Sequence, residues 1–405
     1  MRQLLSIVTL ACTCLLAACG GGGGSSSSSS TPSTTASGSN VAAITIDAGP
    51  SVNGTTTSSP NIPFVTLSIC VPGTSSCATI DHVQIDTGSA GLRLVSTQAI
   101  ASLGLAASAS GNGTLGECAQ FADGITWGAV RKADVKIAGE TASAIPIQII
   151  ADGSLPNVPG DCTAQGAPKQ TVSALGANGI VGIGTLANDC GTLCAQQSTS
   201  LYFSCTSSSC AETTVPVSAQ VPNPVAQFAS DNNGTLVLMP ALSASGSRTA
   251  QGSLIFGIGT QSNNALSGVT VYTTDSGGLF TTTFNGTSLS QSLLDTGSNG
   301  LFFPDASMTE CSNSSDAAGF FCPASTTPLN ATITGRNGVS ASVNLSVANA
   351  QSLFSSGNFA YNNLGGPSVG TSTFDFGLPF FYGRSVYTAI AGASTSGGTG
   401  PYVAF

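Results

Sequence analysis

From residue 41 onward, short apolar runs alternate with spacers rich in Gly, Ser, Thr and Asn. Few windows carry the 3.6-residue period of an amphipathic helix. Alternation with a period of two is common, so the pattern predicts strands and scarce helices. Val41 to Ala48 alternates enough to form a strand. Phe64 to Ile69 and Ile80 to Ile85 flank Pro72-Gly73 and predict a hairpin. Phe121 to Ile137 alternates around Asp123-Gly124. Residues 151–177 are irregular, and residues 201–228 form a crossing marked by Pro216, Pro222 and Pro224. Leu236-Val237-Leu238 and Leu254-Ile255-Phe256 then open a second half. Leu279 to Phe284 and Leu289 to Leu294 flank Asn285-Gly286, a strong two-residue turn signal.

Each of the hairpins around Pro72-Gly73 and Asn285-Gly286 runs into the same phrase. Ile85-Asp86-Thr87-Gly88-Ser89 is followed by Gly91-Leu92, and Leu294-Asp295-Thr296-Gly297-Ser298 by Gly300-Leu301. The two aspartates lie 209 residues apart, about one domain length. This layout predicts a duplicated lobe, with one carboxylate from each copy in a shared site. Gly88 and Gly297 give the turns their backbone freedom. Thr87 and Thr296 are placed to hydrogen-bond across the two-fold relation, and Ser89 and Ser298 to orient the outer carboxylate oxygens. Two carboxylates in contact resist double ionisation and share a proton. One can then act as base toward water while the other donates to a carbonyl.

These residues resemble the pepsin-like aspartic peptidases. Asn178-Gly179-Ile180-Val181-Gly182-Ile183-Gly184 is similar to the family's segment closing the first aspartate's loop. Gly252 to Gly259 resembles its second-lobe opening strand, Phe376-Gly377-Leu378-Pro379 the matching segment of the second lobe, and Pro401 to Phe405 the last strand. The resemblance runs from about Ile62 to Phe405. It implies an all-β, bilobal fold with a central cleft, an N-terminal lobe over 41–228 and a C-terminal lobe over 229–405. Val41 to Ala48 is then expected in the sheet that joins them. The implied activity is peptide hydrolysis by Asp86 and Asp295, on a peptide or protein substrate, by a monomer that needs no metal or other cofactor. The hairpin around Asp123-Gly124 takes the place of the family's flap. The flap tyrosine has no match, and Phe121 and Trp127 are the nearest aromatics, each able to shield the cleft or simply to pack.

Composition narrows the setting. Charged residues are 7% of the chain, the formal charge is −9, and only nine Lys and Arg are present, which argues against a nucleic-acid partner. Met1-Arg2 and the apolar run to Ala18 read as a signal peptide (1–18). It ends in Leu16-Ala17-Ala18-Cys19, which resembles a bacterial lipobox and predicts acylation of Cys19, a membrane anchor and an outer-membrane address. Residues 19–40 then carry the lipid and a Gly/Ser/Thr tether. Ten of the 13 cysteines follow Cys19, an even count that suits disulfides in an exported chain. Neighbours suggest Cys70–Cys77, Cys190–Cys194, Cys205–Cys210 and Cys311–Cys322, leaving Cys118–Cys162, although sequence alone leaves the connectivity open.

Three positions depart from the resemblance or stand near the motifs. Arg93 takes a place where the family often has an aromatic. His82, four residues before Asp86, is expected as a satisfied sheet histidine. Asp375 precedes Phe376-Gly377 where an apolar residue is usual. In that register it would be a third carboxylate beside the dyad, and the plainer expectation is a surface turn or a one-residue slip. A rival function is a catalytically inactive binding or surface lipoprotein that keeps the fold. Both intact Asp-Thr-Gly-Ser copies weigh against it.

Overall fold

The computed structural model describes residues 34–155 and 157–405. The segment read as a signal peptide (1–18), Cys19 and most of the stretch read as a tether lie outside the described residues. The fold is all-β and bilobal, and its described helices are single turns of up to five residues. None of them is long and apolar enough to cross a membrane.

The first copy is built as the alternation dictates. Strands Phe64–Cys70 and Cys77–Asp86 pair antiparallel, and the second carries the motif aspartate at its end. Its outer part alternates exposed and buried positions, while Val83, Gln84, Ile85 and Asp86 are all buried. The chain turns through Thr87-Gly88-Ser89 and leaves along Ala90–Val95. Strand Gly179–Ile183 fills the gap between the two, parallel to the motif strand and antiparallel to the departing one. It sets Gly182 opposite Asp86 and Ile180 opposite Gln84.

The second copy repeats this. Phe280–Phe284 and Thr287–Leu294 form a hairpin whose turn residues have positive φ, 47° at Asn285 and 74° at Gly286, as a twisted two-residue turn demands. The departing strand is Leu301–Phe303, and the filler is Asp375–Phe376, parallel to one and antiparallel to the other. Leu294 faces Phe376, so Gly377 matches Gly182 and Asp375 matches Ile180. Asp375 therefore lies within a strand, in the register the resemblance gives. Neither the surface turn nor the slip is found.

A 16-stranded sheet runs through both halves, and a seven-stranded sheet belongs to the second. The halves join where Val41–Ile46 pairs along its whole length with Ala250–Phe256 and, at Thr45, with Phe64. Ala42, Ile44 and Ile46 point into the core, which is why this strand alternates. Branched aliphatics dominate the first lobe's interior. The second lobe adds stacked phenylalanines, with Phe374 4.1 Å from Phe376 and 4.9 Å from Phe303 between ring centroids. Each such buried ring stabilises by roughly 1.5–3 kcal/mol. Five disulfides link Cys70–Cys77, Cys118–Cys162, Cys190–Cys194, Cys205–Cys210 and Cys311–Cys322.

Candidate active site

The two motif turns meet head to head. Thr87 N–H donates to Thr296 Oγ1 at 3.1 Å, and Thr296 N–H donates to Thr87 Oγ1 at 2.9 Å. Each hydroxyl then passes its hydrogen across, Thr87 Oγ1 to the Leu294 carbonyl and Thr296 Oγ1 to the Ile85 carbonyl. All four bonds are buried, so the two turns are locked to each other rather than to solvent. Gln84 adds a one-sided tie, donating to the Gly297 carbonyl at 2.8 Å.

This lock brings the carboxyls of Asp86 and Asp295 close together, each against the opposite turn. The glycines make the approach possible. A Cβ on Gly88 would sit 2.8 Å from Asp295 Cγ, and one on Gly297 would sit 2.8 Å from Asp86 Cγ. The donors are unequal. Asp86 accepts from the N–H groups of Gly88 (2.8 Å) and Ser89 (3.1 Å) and from Ser89 Oγ (2.5 Å). Asp295 accepts from the Gly297 N–H at 2.7 Å and Ser298 Oγ at 2.8 Å. Loss of hydration, and then the charges of Asp86 and Asp375, hold the Asp295 carboxyl well above the usual carboxylate range. Asp86 therefore has three donors to the two on Asp295, an asymmetry that favours the proton on Asp295.

Asp375 stands behind Asp295. Ser298 Oγ, 2.8 Å from Asp295 Oδ2, is also 2.5 Å from Asp375 Oδ2. Asp375 Oδ1 is shut off from solvent with no hydrogen-bond partner. Loss of hydration drives the Asp375 carboxyl up to about 7.

The two aromatic flap candidates differ. Trp127 is buried beneath the hairpin Gly113–Phe121/Gly124–Ile137, edge-on to Phe203 at 5.4 Å and in one apolar cluster with Cys118 and Cys162. Phe121, half-buried at the hairpin tip, has the Arg93 guanidinium 5.8 Å from its ring centre. Arg93 is itself 3% exposed and is held by groups that no local motif announces. Its Nη2 donates to Glu117 Oε1 at 2.6 Å and to Asp189 Oδ2 at 3.3 Å, and Tyr202 donates its hydroxyl to Asp189 at 2.7 Å. Burial, and then the charge of Glu117, raise Asp189 well above its ordinary range. Glu117 lies on the first strand of the long hairpin, so this cluster ties the hairpin to the strand leaving Asp86.

His82 lies away from the dyad. Its Nδ1 is 2.8 Å from Asp81 and its Nε2 3.3 Å from Asp47, with Phe64 edge-on to the ring. Asn61 is a residue that sequence reading missed. Fully buried, it donates to the carbonyls of Asn299 and Tyr361 and accepts from Tyr361 N–H and Tyr382 Oη. An asparagine in a loop carries no signal of partners some 300 residues away.

Two β lobes, a duplicated strand-turn-strand and a shared carboxyl pair define a pepsin-like architecture. Among solved structures, the aspartic proteinase from Irpex lacteus superposes with a TM-score of 0.50, at 14% identity over 90% of this chain and 96% of that one. At that identity the likeness speaks for the fold. The chain belongs to the family described as "Protein of unknown function (DUF3443)", whose model matches residues 36–405. No curated protein matches it.

Proposed function

We propose that this chain is an aspartic endopeptidase. The observation that carries the reading is the contact between Asp86 and Asp295 at the locked turns, with more donors on Asp86 than on Asp295. In the resting site Asp86 is the carboxylate and Asp295 holds the proton. A water between substrate and dyad gives a proton to Asp86 as its oxygen attacks the scissile carbonyl carbon. Asp295 passes its proton to the carbonyl oxygen, leaving a neutral tetrahedral diol and an ionised Asp295. The C–N bond then breaks. The amine leaves with the proton held on Asp86, a diol hydroxyl returns its proton to Asp295, and the dyad regains its starting state.

We read 41–228 and 229–405 as the lobes that supply one aspartate each. The flap role falls to the long hairpin, with Phe121 at its tip and Trp127 as its underlying support. The alternative, a non-catalytic binding protein, draws on one observation: neither aromatic offers a hydroxyl to a substrate.

The test uses the full chain in detergent with a diverse peptide library over a pH series. Cleavage is expected on the acid side. Asp86→Asn and Asp295→Asn should each abolish it, with no further loss in the double variant. Cleavage that survives Asp86→Asn, or none at any pH by folded wild type, would overturn the reading. We also propose that acylated Cys19 anchors the chain in the bacterial envelope, at the outer membrane. Metabolic labelling with a radiolabelled fatty acid should mark the wild type and not Cys19→Ala.

A further inference from the structure

The two copies share Asp-Thr-Gly-Ser and the Gly-Leu pair that follows, and beside them one polar position is exchanged. Where the first copy has Gln84 facing Ile180, the second has Leu293 facing Asp375. The polar residue has moved from the motif strand to the filler strand. Gln84 reaches the opposite turn, whereas Asp375 reaches Ser298 in its own lobe.

Hydrogen counting then constrains the protons at the second aspartate. Ser298 has one hydroxyl hydrogen, yet Oγ lies within hydrogen-bond distance of two carboxyl oxygens, Asp295 Oδ2 at 2.8 Å and Asp375 Oδ2 at 2.5 Å. Its hydroxyl can donate to one; the other must donate to it. That bridge holds no other hydrogen, so one of these two carboxyls must itself be protonated. Asp295 Oδ1 accepts from Gly297, while Asp375 Oδ1 is enclosed and unpartnered, a costly place for an anion and a tolerable one for the carbonyl oxygen of a neutral acid.

We infer that Asp375 is a positioning residue of the dyad: neutral in the working state, it donates through Ser298 to Asp295, and its ionisation closes the alkaline side of the activity range. This deepens the peptidase reading and rests on it. The groups facing Asp375 are Ser298, Asp295 and, further off, Asp86. The strands on either side, Thr287–Leu294 and Leu301–Phe303, bear no charged side chain. The sign follows from the raised carboxyl: neutral below about 7 and ionised above it. Once ionised, Asp375 draws the only Ser298 hydrogen to itself. Asp295 loses its outer donor, gains a charged neighbour, and holds its proton too tightly to share it with a substrate carbonyl.

Two readouts separate this inference from the peptidase proposal. Infrared difference spectra of the full chain need no activity. Raising the pH through about 7 should remove a carbonyl band of an enclosed carboxylic acid, and Asp375→Asn should lack that band. If the band persists in Asp375→Asn, or no acid band titrates in the wild type, the inference is overturned whether or not the protein cleaves peptides. The second readout is the pH profile of kcat/KM. Asp375→Asn, whose amide still donates to Ser298, should leave the acid limb in place and move the alkaline limb up. Coincident alkaline limbs, or a downward move, would overturn it. If Asp375→Asn fails to fold, Asp375→Ile, which copies Ile180, takes its place in both measurements, and the wild-type titration stands without any variant.

Discussion

At the scale of single residues, the molecule is organised by hydrogens that have one place to go. Thr87 and Thr296 each accept one bond and donate another across the lobe boundary, and all four bonds are buried. Valine keeps the shape and removes the hydroxyl. Thr87→Val strands the Thr296 N–H and the Leu294 carbonyl, and Thr296→Val strands their counterparts. Each buried orphan costs about 1–3 kcal/mol. Each variant should therefore lower the urea midpoint of the whole chain, and the double variant should lose less than the sum, because both take apart one network. Full additivity would mean that the turns are not coupled. Asp375 follows the same logic with a proton in place of a hydroxyl.

At the scale of elements, the long hairpin Gly113–Phe121/Gly124–Ile137 is anchored along its strands. Trp127, the Cys118–Cys162 disulfide and the Arg93 cluster all hold strand Gly113–Phe121 or its partner. The Cys118–Cys162 link closes the longest loop of the five, 44 residues, whereas the others close 4 to 11. Chain-entropy reasoning gives it about 4 kcal/mol. Replacing both cysteines with serine should lower the melting temperature more than removing any other pair, and hydrogen exchange should quicken first in the hairpin amides. An unchanged hairpin would show that Arg93 and Trp127 suffice. Much of this level was legible beforehand, because strands and turns announce themselves locally. Asn285-Gly286 marked its hairpin, and both Asp-Thr-Gly-Ser turns stood at strand ends. The anchoring cluster was not legible. Glu117 and Asp189 lie 24 and 96 residues from Arg93, and only the folded register brings them to it. The same limit applied to Asp375, whose meaning depended on a one-residue alignment that the strand pairing with Leu293 decides.

At the scale of the whole molecule, the lobes are not free bodies. Val41–Ile46 pairs along its length with Ala250–Phe256, Asn61 reaches Asn299 and Tyr361, and the motif turns interlock. Thermal unfolding should therefore be one cooperative transition, with calorimetric and van't Hoff enthalpies equal. Two resolved transitions would show lobes that melt independently.

The position of Val41–Ile46 also has a consequence in time. A chain that emerges amino end first presents this strand early, but its main partner, Ala250–Phe256, arrives more than 200 residues later. Until then Ile44 and Ile46 have no finished core to enter, and one edge of the first lobe stays open to any passing strand. Maturation then includes the closing of a seam between the beginning of the folded chain and its middle. A chain cut short before Ala250 would keep the first aspartate on its hairpin and still lack the strand that completes its own sheet.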